Sequence, residues 1–228
     1  MRVLRAAGRT ATAWSNGGGV TREIAAAPPG AGWDAFDWRV SLAEVGRDGP
    51  YSALPGVDRV LTVAEGAGLE LTVDGTRHVL PGPYCPFAFP GDAPTGCRLL
   101  DGPVVNFNVM LRRGRATAIV EVARGSYVRC AAESRPGDVG DVGDTSGERR
   151  ARLVVALSGR TWLDGPDSGR TRLSGAGSGH TRTTLERYDA ALMPADAGVS
   201  LHADGVTAVV TLTVRTADPD ARRPEASA

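Results

Sequence analysis

Trp14-Ser15-Asn16-Gly17-Gly18-Gly19-Val20-Thr21-Arg22-Glu23 sets three consecutive glycines between an indole and a run that mixes β-branched and charged residues. A phosphate loop needs either GxGxxG between a strand and a helix, or GxxxxGK[ST] with its lysine, so that backbone N–H groups at a helix N-terminus face the phosphate. Neither pattern is present, and the chain contains no lysine. Val20-Thr21-Arg22-Glu23-Ile24 alternates as a strand does. The glycines therefore read as a strand-turn-strand corner in which Gly17 to Gly19 supply positive φ.

The same period of two runs outward through the chain. Trp38, Val40 and Leu42 share one face of a strand, and Arg39, Ser41 and Ala43 share the other. Leu69, Leu71 and Val73 lead into an Asp74-Gly75 turn from which Thr76 to Leu80 returns antiparallel. Val105, Phe107, Val109 and Leu111 alternate with Asn106, Asn108 and Met110. Further strands are expected at 116–122, 127–131, 152–157, 183–187 and 206–214, and helical periodicity is scarce. Many short strands with turn residues between them predict an all-β protein, a barrel or sandwich, with room in 228 residues for two β-barrels side by side. The expected division is 1–125 and 126–217, with polar, glycine-rich surface loops at 133–150 and 164–179 and a disordered tail over 218–228.

Composition narrows the function classes. The 26 cationic residues, all arginine, balance 26 acids, and no basic stripe points to nucleic acid or an acidic membrane surface. The N-terminus lacks the apolar core of a signal peptide, and no window has the roughly twenty apolar residues of a membrane span, so a cytoplasmic protein is expected. Cys85, Cys97 and Cys130 are too irregular for a disulfide framework or zinc site. The repeated Asp-Val-Gly-Asp near residue 140 lacks the ligand ladder of a calcium loop.

Polar residues on strands that a barrel covers on both faces carry the functional signal. Arg39, Ser41, Asn106 and Asn108 would line a polar interior, and Arg59 opens the strand that continues to Val63. A buried guanidinium without a carboxylate is costly. Arg39 or Arg59 is therefore either paired internally, with Glu23 the obvious partner, or kept for an anionic ligand. In the second case an arginine fork holds a carboxylate by two parallel hydrogen bonds, while Asn16, Thr21 or Asn108 reads the polar remainder.

Five separated motifs resemble the HutD/Ves family in the same order: Trp14-x-Asn16-Gly17-Gly18-Gly19-x-Thr21-x-Glu23; Phe36-Asp37-Trp38-Arg39-Val40-Ser41; Gly49-Pro50-Tyr51-Ser52 with Pro55-Gly56-Val57-Asp58-Arg59; Pro86-Phe87-Ala88-Phe89; and Asn106-Phe107-Asn108-Val109-Met110. The resemblance covers about residues 1–125. It implies a cupin-like fold with two barrels in one chain, a bicupin. It also implies a non-enzymatic factor of histidine utilisation that binds a pathway metabolite, urocanate or N-formylglutamate. Asn106 stands where the family commonly has an aspartate. On the resemblance, the glycine corner lies at the pocket mouth and lets backbone approach a ligand or a neighbouring strand.

Metal-dependent cupins place two imidazoles two residues apart on one strand face, a spacing absent here: His78, His180 and His202 are dispersed and read as surface residues. No G-x-S-x-G elbow is present, and Glu65 and Glu70 show no acid-base division of labour. The expected reading is a carboxylate-metabolite binding protein with no metal or cofactor, a monomer or homodimer. Arg39 and Arg59 would meet the anion, and Asn16, Thr21, Glu23, Ser41 and Asn108 would orient it. Its rivals are a metal-free isomerase with Glu23 as base and Arg39 stabilising an enolate, and an interaction protein with a vestigial pocket.

Overall fold

Period-two alternation becomes strand throughout the computed structural model, which describes residues 1–127, 147–166 and 180–215; no helix occurs among them. Three antiparallel sheets result. The six-stranded sheet runs in the order β2 (Ala11–Ala13), β3 (Gly19–Ala27), β4 (Trp38–Val45), β11 (Val104–Arg112), β6 (Val57–Glu65), β9 (Pro86–Pro90). The four-stranded sheet is β5 (Gly49–Tyr51), β10 (Thr95–Leu99), β7 (Gly68–Val73), β8 (Thr76–Pro81). The seven-stranded sheet is β1 (Arg2–Leu4), β16 (Ala190–Pro194), β13 (Glu148–Ser158), β17 (Ser200–Arg215), β14 (Thr161–Pro166), β15 (His180–Leu185), with β12 (Ala116–Tyr127) also on β17.

Alternation distributes side chains to three cores. Leu61, Val63 and Val45 of the six-stranded sheet meet Leu69, Leu71 and Cys97 of the four-stranded one, which makes the interior of a first barrel. The opposite face, with Val40, Leu42, Phe107 and Val109, packs on Leu153, Val155, Val210 and Leu212 of the seven-stranded sheet. That sheet in turn curls around Val154, Ala156, Leu163, Leu185, Met193 and Val209. Each fully buried aliphatic side chain contributes about 1.5–3 kcal/mol, so the shared middle core holds the two curled units together.

Sheet membership crosses the two halves. β1 pairs with β16, and β12, which contains residue 125, pairs with β17. Residues 148–150 and 164–166, expected in loops, are strand in β13 and β14, and His180 opens β15. Residues 133–146 and 167–179 of those loops, the tail over 218–228, residues 128–131 of an expected strand, and Cys130 lie outside the described residues.

The Asp74-Gly75 turn forms as expected, with both residues at positive φ joining β7 to β8. At the glycine corner only Gly17 has positive φ. Gly19 serves close approach instead: it faces Val45 across the β3–β4 ladder, and a Cβ there would sit 2.1 Å from the Glu44 carbonyl oxygen.

Candidate functional site

The site is built by register. Across the six-stranded sheet, Ala26, Arg39, Met110, Arg59 and Phe89 form one lateral row, and Glu23, Ser41, Asn108, Leu61 and Phe87 form another. Thr21, Ala43, Asn106 and Val63 form a third. Leu61, Val63, Phe87 and Phe89 of these rows belong to the first-barrel core, so the polar members face that interior as well. A bulge between Glu23 and Ala25 allows this placement: Ile24 and Ala25 both enter the middle core, while Glu23 stays on the barrel side.

Arg39 is neutralised in place. Its Nη2 lies 2.8 Å from Glu23 Oε2, and its guanidinium lies 4.4 Å from the centre of the Trp33 ring. The internal pair anticipated from the sequence therefore forms with Arg39 and not with Arg59.

Arg59 is different. Only 7% exposed, it has no carboxylate partner among the described residues, and its Nε makes no hydrogen bond. Its guanidinium lies between two rings, 5.0 Å from the centre of Tyr51 and 5.1 Å from that of Phe89. Burial lowers its pKa from the ordinary arginine value, against the pull of Tyr51. Arginine keeps its proton in proteins, so this is a desolvated cation held by ring quadrupoles.

Neutral groups surround it. Asn106 Nδ2 donates to the Tyr51 hydroxyl at 3.1 Å, and Asn108 Nδ2 donates to the Asn106 carbonyl at 3.4 Å. The Oδ1 atoms of both asparagines are buried without a donor. Burial first, then Cys97, pushes the Tyr51 phenol well above its ordinary range, although Arg59 and Asn106 act in the other direction; it remains a neutral hydroxyl. Burial likewise raises the Cys97 thiol. The interior thus holds a buried positive charge at Arg59 and two acceptor oxygens without donors, on Asn106 and Asn108.

The remaining expected residues divide. Ser41 is buried on the same face, and Thr21 lies in the row that contains Asn106, where its hydroxyl accepts from Trp14 Nε1 at 2.8 Å. Asn16 is not placed in the interior: it is exposed, and its Oδ1 accepts the Gly18 N–H at 2.8 Å, a side-chain turn that shapes the glycine corner. That corner lines an open cleft of about 450 Å³ together with Glu44, Arg47 and Pro103. Tyr51, Phe89 and Trp33 were not singled out from the residues, although Tyr51 and Phe89 stand in the quoted motifs. The signal of Tyr51 and Phe89 was aromatic residues beside Gly-Pro and Pro-Phe punctuation; Trp33 has neither beside it.

The two described histidine side chains, His78 and His202, lie on different sheets. His78 is half-buried, its ring 4.7 Å from that of Phe87 between centres, while His202 is exposed on β17. Among the described residues no group of three His, Cys, Asp or Glu side chains is placed to hold a metal ion. Glu65 and Glu70 have separate structural duties. Glu65 accepts from Tyr188 and pairs with Arg187 of the second unit, and Glu70 pairs with Arg77 and Arg98.

Comparison with known proteins matches residues 6–138 to the HutD family model, a span that includes every residue of this interior. The chain belongs to the HutD family. It is 39% identical over 112 residues to an uncharacterised 21.2 kDa protein in the hutC 3′ region of Pseudomonas putida, a match covering 48% of this chain and 57% of that protein. Protein Ves of Cronobacter sakazakii is 36% identical over 153 residues, which cover 66% of this chain and 73% of Ves. HutD from Pseudomonas fluorescens SBW25, solved in a formate condition, superimposes with TM-score 0.69 at 28% identity over 94% of this chain and 99% of that one. Family membership links the chain to histidine utilisation. No helix among the described residues is long and apolar enough to cross a membrane.

Proposed function

We propose that the first barrel binds a small carboxylate-bearing metabolite without transforming it, as a HutD-type component that modulates histidine utilisation. One observation carries the reading: Arg59 is a desolvated cation with no counter-ion from the described protein. Bringing a charge out of water costs several kcal/mol, and a ligand carboxylate recovers that cost by a charge-assisted, two-point hydrogen bond. Asn108, Asn106 and Ser41 orient the rest of the ligand, and the Glu23–Arg39 pair bounds it. Urocanate and N-formylglutamate are the candidates that the family suggests. The isomerase alternative needs Glu23 as a free base, whereas its carboxylate is engaged by Arg39.

Thermal shift against urocanate, N-formylglutamate and formate at millimolar concentration tests the proposal. A ligand at 100 times its dissociation constant stabilises by about 2.7 kcal/mol. The shift should vanish in Arg59→Met. No shift with any small carboxylate, or chemical turnover of the ligand, contradicts it.

A further inference from the structure

We infer that Arg152 is the second unit's counterpart of Arg59, engaged by its own backbone, so that the chain takes up one carboxylate ligand and not two. The inference rests on the binding reading above and adds to it the number of sites and the unit that holds the site. Strand register carries the equivalence. Arg59 of β6 lies between Met110 of β11 and Phe89 of β9, and Arg152 of β13 lies between Thr211 of β17 and Met193 of β16. Beyond each arginine the ladder breaks at the same place, after Val63 on β6 and after Ala156 on β13. The carbonyls of those two residues each accept the N–H of a tyrosine at positive φ: Tyr84 donates to Val63 at 2.8 Å and Tyr188 to Ala156 at 2.6 Å. Arginine, ladder break and left-handed tyrosine coincide, so the two arginines hold one place in a repeated unit.

Their surroundings have diverged. Both side chains are buried on the inward face, Arg152 beside Val154 and Ala156 as Arg59 is beside Leu61 and Val63, and the Nε of each makes no hydrogen bond. The terminal nitrogens differ. Arg152 Nη2 donates to the Ala195 carbonyl at 2.6 Å and so ties the turn after β16 to β13, whereas Arg59 donates to no acceptor among the described residues. The neighbours differ in the same sense. Where the first barrel has Asn106 and Asn108, the second unit has Thr207, whose hydroxyl is engaged by that of Thr161 at 2.6 Å, and Val209. Ile119 of β12 stands at the place of Arg39 of β4. A carboxylate entering the second unit would have to displace a backbone carbonyl from its donor among apolar side chains, and a buried carbonyl left without a donor opposes that exchange.

Calorimetry and melting curves of the full chain test this with urocanate, N-formylglutamate and formate as probes. Any of them that binds should saturate at one per chain. Arg152→Met should lower the ligand-free melting temperature by at least about 2 °C, because the Ala195 carbonyl loses its donor, and should keep the ligand-dependent shift that Arg59→Met loses. Arg152→Lys, which retains a donor, should recover part of that loss, and it carries the binding measurement if Arg152→Met fails to fold. Saturation at two per chain, loss of the ligand-dependent shift in a folded Arg152 variant, or an Arg152→Met protein that melts no lower than wild type overturns the inference while leaving the binding proposal intact. Binding of no small carboxylate overturns the binding proposal and the count of one with it, and the ligand-free melting temperatures then still decide whether Arg152 holds its own backbone.

Discussion

The Arg59 guanidinium lies 5.0 Å from the centre of the Tyr51 ring, and no carboxylate lies between or beside them among the described residues. Replacing a buried ion by a well-packed apolar side chain is often neutral or stabilising. Arg59→Met should therefore leave ligand-free stability within about 1 kcal/mol or raise it, the lost ring contacts being offset by relief of desolvation. The same variant should lose carboxylate-dependent stabilisation. Urea denaturation with and without ligand separates the two effects. A loss of several kcal/mol without ligand would instead make Arg59 a structural cation.

Tyr51→Phe should act in the opposite sense. It removes the acceptor of Asn106 Nδ2, whose side chain is almost wholly buried, and supplies no replacement. An unsatisfied buried donor costs about 1–3 kcal/mol, so the denaturation midpoint should fall with or without ligand. The Arg59 ring contact survives in phenylalanine, so ligand-dependent stabilisation should persist. Its disappearance would show that the hydroxyl itself touches the ligand.

Much of this architecture was legible because strands have a period of two. Val105 to Leu111 showed both its apolar face and its asparagine face, and the structure gives each a separate environment. The Glu23–Arg39 pair was legible as a chemical necessity, since two charges so placed cost less together than apart. The environment of Arg59 was not. Phe89 reaches it across β6–β9 pairing, and Tyr51 reaches it from the four-stranded sheet; strand order and sheet stacking have no sequence period. The position of Asn16 outside the interior was not legible either, because asparagine serves turns as readily as ligands and its hydrogen bond to Gly18 is local.

Gly19 tests the close approach at the corner. An alanine there would drive Cβ into the Glu44 backbone carbonyl, an atom that cannot rotate away, and the β3–β4 ladder would have to part. Gly19→Ala should destabilise by about 1–3 kcal/mol. Gly96→Ala is the matched control on β10, where a Cβ meets nothing within 4 Å; its effect should stay within about 0.5 kcal/mol. Thermal unfolding of the two variants side by side checks the difference, and equal melting temperatures would refute the steric account.

Asp92 provides a pH-dependent test at one end of the six-stranded sheet. Arg113 grips it with two hydrogen bonds, of 2.7 and 2.9 Å, and reaches Asp58 at 2.7 Å, joining the ends of β6, β9 and β11. The Arg113 hydrogen bonds lower the Asp92 carboxyl from 3.8 to about 2. A carboxyl depressed on folding stabilises above its unfolded pKa, and that stabilisation is lost as pH falls through the folded one. The window here is pH 3.8 down to about 2. Asp92→Asn should melt below wild type at pH 7, and the gap should close across that window as wild type takes up the proton. The group is solvent-exposed, so moderate salt should shrink the gap at pH 7 as well. Melting curves of both proteins from pH 7 to pH 2 decide the matter: a gap that persists at pH 2 would assign the effect to packing or neutral hydrogen bonding, with no contribution from the carboxylate charge.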